Sequence, residues 1–274
     1  MNKQVLYSNQ RHSFCRVRVD VNLGVRNWQG IKLVSCLIVA LLVTACNGEG
    51  RPNVNPNPQM DVADTTDTKV SLSFLALGDS YTIGESVEET MRWPVLLANQ
   101  LTNAGYEVDT VRIIATTGWT TAELKEGIAQ ANVTESYNLV SLLIGVNNQY
   151  RGEERGYSMA LYEQEFTQLL EQAIGFAGDH TERVFVVSIP DYAFTPFGQG
   201  REPETISREL DEYNAKAKSI CEQYGVRFYN ITPISREGLE DPELVAQDQL
   251  HPSGKQYRRW VQEVLVPDFI LPLE

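Results

Sequence analysis

Three residue types that together activate an alcohol for attack occur in this chain: Ser80 in Gly78-Asp79-Ser80-Tyr81, and the pair in Asp248-Gln249-Leu250-His251-Pro252. A serine hydroxyl is a poor nucleophile near neutral pH, so an adjacent base must take its proton during attack. General-base help of this kind is worth about 10²–10⁴-fold in rate. Beyond residue 45 the chain offers two imidazoles, His180 and His251. His251 stands three residues after Asp248, close enough on a turn for the carboxylate to bond Nδ1–H and leave Nε2 facing a serine. Attack on an ester also needs donors for the developing oxyanion, each worth about 10²–10³ in rate. The backbone N–H groups of Ser80 and of Gly118, in Thr116-Thr117-Gly118-Trp119, are candidates, as is the side-chain amide of Asn147 in Gly145-Val146-Asn147-Asn148.

Each piece has a plainer reading when taken alone. Asp79 or Ser80 can cap a helix, Gly118 can supply a positive φ to a turn, and Asn147 can form an Asx turn. Asp248 and His251 can flank a helix start with Pro252 at its first position. What joins them is the expected architecture. Continuous apolar runs at Val70–Leu77, Val108–Ala115, Leu139–Ile144, Val184–Ile189 and Arg227–Asn230 alternate with helical patterns near 88–103, 120–131, 156–175, 204–224 and 253–265. Unbroken runs such as VFVVSI imply strands buried on both faces, hence a mostly parallel five-stranded sheet between helix layers. Such sheets carry their sites at the carboxyl ends of the strands. Ser80, Gly118, Asn147 and the Asp248–His251 pair all follow strands and share that rim. His180 precedes the fourth strand, at the opposite end, and reads as a solvated loop residue.

The four stretches GDSY, the glycine of TTGWT, GVNN and DQLHP, in that order, resemble the four blocks of the SGNH (GDSL-type) hydrolase family across about residues 70–265. The resemblance implies a flavodoxin-like three-layer α/β/α sandwich. It further implies Ser80 as nucleophile, Asp248 and His251 as its base pair, and Ser80, Gly118 and Asn147 as oxyanion donors. Family members often place Asp after the block-three Asn. Asn148 stands there instead, so the hydrogen bonds that support Asn147 are expected to differ. The G-x-S-x-G of α/β-hydrolases does not occur around Ser80.

Composition bounds the remaining classes. The net charge of −13 becomes −18 over residues 46–274, because residues 1–45 hold six basic side chains and one acid. A body that acidic repels phosphate backbones, so nucleic acid is not an expected partner. Basic residues lead into the uncharged Leu33–Ala45, a run too short to span a bilayer comfortably. It ends Val43-Thr44-Ala45-Cys46, which resembles a bacterial lipobox. Residues 1–45 are therefore expected to be a lipoprotein signal peptide and Cys46 the lipidated residue, holding the protein in the cell envelope. The basic lead-in is long, which leaves a downstream start such as Val25 open.

Residues 46–69, rich in Asn, Pro, Asp and Thr, read as a disordered tether; residues 70–274 form the hydrolase domain. Cys221 alone remains in that domain, so neither an internal disulfide nor a Cys/His metal set is expected there, and no cofactor is implied. The expected activity is hydrolysis of small acyl or acetyl esters, glycan esters among them. Tyr81, Trp119, Tyr150 and the loop Asp191–Pro203 are candidates for the pocket wall, and Glu85 and Arg151 for polar substrate contacts or plain surface. An acyltransferase, a lysophospholipase or thioesterase with the same triad, and a non-catalytic binding lipoprotein remain as alternatives.

Overall fold

The run SLSFLALG becomes an eight-residue strand whose last five residues are buried, as an apolar segment flanked on both faces should be. The computed structural model describes residues 16–19 and 71–268. Six strands form one sheet: β1 (Arg16–Val19), β2 (Ser71–Gly78), β3 (Glu107–Ala115), β4 (Leu139–Leu143), β5 (Val184–Val187) and β6 (Arg227–Tyr229). Their order is β1-β3-β2-β4-β5-β6, and every pair is parallel. The five strands from Ser71 onward are those expected from the apolar runs. β1 is an addition: RVRV pairs alongside Thr110–Ile113 of β3, within the stretch assigned to the leader. Cys46 and the tether residues 46–69 lie outside the described residues.

Helices α1 (Ser80–Ile83), α2 (Trp93–Asn103), α3 (Thr121–Ala131), α4 (Val146–Arg151) and α5 (Met159–Phe176) alternate with the first strands. They are followed by α6 (Pro196–Gln199), α7 (Pro203–Tyr224), α8 (Thr232–Ser235) and α9 (Gly254–Arg259). Two helices differ from the sequence pattern. The segment 88–103 breaks into a 3-10 turn, Glu89–Met91, and α2, because Pro94 lacks an N–H and is tolerated only in a first turn. The final helix widens after Arg259 into a π-helical stretch, Trp260–Leu265, which keeps Trp260, Val261 and Leu265 buried. Boundaries elsewhere follow capping chemistry. Thr120 and Glu123 form a reciprocal capping box at α3, and Ser158 caps α5.

The core is continuous across the sheet. Phe74 of β2 packs against Trp93 of α2 and Phe185 of β5, with ring centroids 6.3 and 6.2 Å away. Burying side chains of this size supplies about 1.5–3 kcal/mol each. Register then decides where the loops emerge. Gly78 pairs with Ala115 on one side and with Leu143 on the other, so β2, β3 and β4 end level. The three loops that follow them leave the sheet side by side.

Candidate active site

At the end of β2 the chain turns at once into α1, and Gly78 is what permits it. A Cβ there would lie 2.2 Å from Thr82 Oγ1 and 2.5 Å from the Leu143 carbonyl oxygen, so no larger residue fits. Asp79 caps α1 by accepting a hydrogen bond from the Tyr81 N–H at 3.0 Å. Its other oxygen, Oδ2, has no partner among the described residues, and burial pushes the carboxyl up to about 7. Ser80 follows at the first position of α1 and lines a cavity of about 180 Å³.

That cavity also takes in Asn147 and His251, which lie 67 and 171 residues further along the chain. His251 sits in a turn closed by an antiparallel bridge between Val245 and Pro252 and by a 2.8 Å bond from the Ala246 N–H to the His251 carbonyl. Asp248 Oδ2 lies 2.6 Å from His251 Nδ1, while Oδ1 accepts the N–H groups of Leu250 and His251, each at 2.9 Å. Burial alone would raise the Asp248 carboxyl. The bonds from Ser86, from the His251 ring and from these two backbone groups outweigh it and bring the value to about 2. The carboxylate is therefore an acceptor only, so Nδ1 donates to it, which in the neutral imidazole leaves Nε2 with its lone pair. The Tyr81 ring stands edge-on to the imidazole at 5.6 Å.

The loop after β3 is tied to α4 by two successive carbonyls. Asn147 Nδ2 donates to the Trp119 carbonyl at 2.9 Å, and Arg151, one turn later on the same helix, donates to the Gly118 carbonyl at 2.7 Å. Gly118 has φ +88°, a conformation that an L side chain adopts only under strain, although the space around it is open. Gly118 itself is not among the residues lining the cavity; its carbonyl is held by Arg151 of the helix that carries Asn147.

A family model described as the GDSL-like lipase/acylhydrolase family matches residues 76–259. The chain belongs to that family. It is thereby a serine ester hydrolase of the SGNH type, and the sandwich fold agrees. Axe2, an acetylxylan esterase from Geobacillus stearothermophilus, shares 20% identity at a TM-score of 0.53, covering 70% of this chain and 92% of its own. TesA shares 17% identity at a TM-score of 0.54, covering 69% and 93%. No curated protein matches the chain in sequence.

Other residues of this acylhydrolase fall where sequence alone left them open. Asn148, which replaces the expected Asp, is buried; its Oδ1 accepts the Thr121 N–H at 3.1 Å and its Nδ2 donates to Thr121 Oγ1 at 2.7 Å. It fastens α4 to the start of α3. Glu85 accepts from Thr117 Oγ1, and Arg151 also contacts Tyr157 and Glu123, so both belong to the loop framework rather than to open surface. Tyr81 and Tyr150 line the cavity with Tyr192 and Phe197 from the 191–203 loop, whereas Trp119 instead covers Gly127. His180 is exposed beside Glu182 ahead of β5, far from this rim.

Three residues escaped the sequence reading: Gln149, Leu250 and Ser86. Gln149 accepts from Tyr192 OH at 2.9 Å and donates to Glu209 at 2.9 Å. Leu250 lines the cavity and Ser86 contacts Asp248. A glutamine on a short helix carries no signal by itself. Among the described residues no group of three His, Cys, Asp or Glu side chains is placed to hold a metal.

Proposed function

We propose that this hydrolase cleaves esters of short acyl groups, acetyl above all, by a Ser80–His251–Asp248 acyl-enzyme mechanism. The observation that carries it is the 2.6 Å Asp248–His251 contact directed at a cavity that Ser80 and Asn147 share. His251 Nε2 takes the Ser80 proton as Oγ bonds to the ester carbonyl carbon. The backbone N–H groups of Ser80 and Gly118 and the amide of Asn147 receive the oxyanion. Asn147 spends one amide hydrogen on the Trp119 carbonyl, which fixes its plane and leaves the second for substrate. Collapse expels the alcohol, protonated by His251, and water activated by the same imidazole releases the acid. In Axe2 the substitutions described as catalytic mutants fall on a serine, an aspartate and a histidine, with the last two three positions apart, the spacing of Asp248 and His251.

Substrate size follows from the walls. At about 180 Å³ the cavity is smaller than the ~300–1,000 Å³ of pockets that enclose a drug-sized ligand, and Tyr81, Val146, Tyr192, Phe197 and Leu250 make it apolar. Beside it, sharing Tyr150, lies a polar hollow of about 560 Å³ that includes Gln149, Arg155, Tyr157, Glu212 and Tyr213. A hydroxyl-rich leaving group such as a sugar suits that lining better than an alkyl chain does. We further propose lipidation of Cys46 and attachment to the cell envelope, on the strength of Leu33–Cys46.

Ser80→Ala and His251→Ala should each abolish hydrolysis of p-nitrophenyl acetate with circular dichroism unchanged, and Ser80→Ala should lose fluorophosphonate labelling. Retained turnover in either variant refutes the mechanism.

A further inference from the structure

The tripeptide Gly84-Glu85-Ser86 follows the nucleophile's helix and is bound back to it: the N–H groups of Gly84 and Glu85 both donate to the Ser80 carbonyl, at 3.1 and 3.0 Å. From this anchored position Ser86 Oγ donates to Asp248 Oδ2 at 2.6 Å, the same oxygen that faces His251 Nδ1. Ser86 therefore spans two of the four blocks, 162 residues apart in sequence. Its backbone is at φ +65°, in the left-handed region where a residue with a Cβ costs roughly 1 kcal/mol more than glycine. Backbone preference alone favours Gly at this turn, and what the strained serine brings in return is a hydroxyl that donates to Asp248. Ser86 is exposed and water can replace its donor, but water cannot fix the direction of the bond.

Resting on the triad reading above, we propose that Ser86 is a positioning residue that holds the Asp248 carboxylate in the rotamer His251 needs. With Oδ1 fixed by two backbone N–H groups and Oδ2 by Ser86, the carboxylate plane has no freedom left, and the imidazole is aimed through it.

The test compares Ser86→Gly with Ser86→Ala. Glycine removes the hydroxyl but relieves the positive φ, so its thermal midpoint should stay near wild type, the relief offsetting glycine's greater unfolded-state entropy. In both variants kcat should fall about tenfold, the size of one lost bond to a charged group, with KM little changed because Ser86 does not line the cavity. The downfield Nδ1–H proton resonance of His251, assigned by its loss in His251→Gln, should shift or broaden in both. Wild-type kcat in Ser86→Gly overturns the proposal, as does an Nδ1–H resonance identical to wild type. Loss in Ser86→Ala alone would mean that the turn matters and the hydroxyl does not, which also overturns it. The resonance reports on Asp248 and His251 whether or not Ser80 is the nucleophile. Active Ser80→Ala would sink the mechanism, and an unmoved resonance would sink Ser86.

Discussion

Asp79 and Ser80 are adjacent in sequence and meet opposite environments. The hydroxyl reaches the cavity, while the carboxyl is sealed in the core with one oxygen capping α1 and the other without a partner among the described residues. Burial raises Asp79 from 3.8 to about 7. The unfolded chain therefore loses its proton first as pH rises, and the folded state binds more protons between those two values. The contribution of Asp79 to stability therefore falls with rising pH across that window. Asp79→Asn, neutral throughout and still able to cap through its carbonyl oxygen, should flatten that slope. Thermal midpoints measured between pH 4 and 7 check this: the wild type should decline relative to the variant, and parallel curves would show that Asp79 is not the group responsible. Asp248 behaves in the opposite sense. Held at about 2, it is ionised over the whole working range and stays an acceptor for the His251 ring.

At the scale of elements, α4 does more than present Asn147. Residues one turn apart on it grip consecutive carbonyls of the loop after β3, and Asn148 between them grips the first turn of α3. A six-residue helix is too short to hold itself in place, so these side-chain bonds and its packing supply its rigidity. Arg151 is the outer grip, forked across the Gly118 carbonyl, Tyr157 and Glu123. Arg151→Met should loosen the Gly118 turn and lower kcat on the order of tenfold, less than the ~10²–10³ expected when a donor is deleted outright. Affinity for a tetrahedral boronic acid should fall by the same factor, while KM for a short ester stays near wild type. Lysine should not rescue it, since a point charge cannot reproduce the planar fork.

For the whole molecule, the hydrolase unit from Ser71 onward has its own core and all five strands that frame the site. β1 adds four residues of pairing along β3, which is already bound along its length to β2. A lipoprotein leader cleaved before Cys46 would remove that strand. A chain beginning at residue 70 should accordingly keep native circular dichroism and wild-type kcat/KM on p-nitrophenyl acetate. In the full chain, Cys46→Ala should abolish incorporation of labelled palmitate and release the protein from the membrane fraction. Among the described residues no helix is long and apolar enough to cross a membrane.

The residues themselves determined the sheet and the helix layers, because buried parallel strands leave unbroken apolar runs, and they named the site candidates, because chemistry restricts which side chains can serve as nucleophile, base and donor. His251 was singled out over His180 by position relative to a strand, and that is where it lies. Tertiary structure alone decided the partners of side chains that carry no periodic signal. Ser86 meeting Asp248, Arg151 meeting Gly118 and Gln149 bridging Tyr192 to Glu209 are contacts across 162, 33 and 43 to 60 residues. They depend on β2, β3 and β4 ending level at Gly78, a register that local sequence does not encode and that packing of the whole sheet enforces.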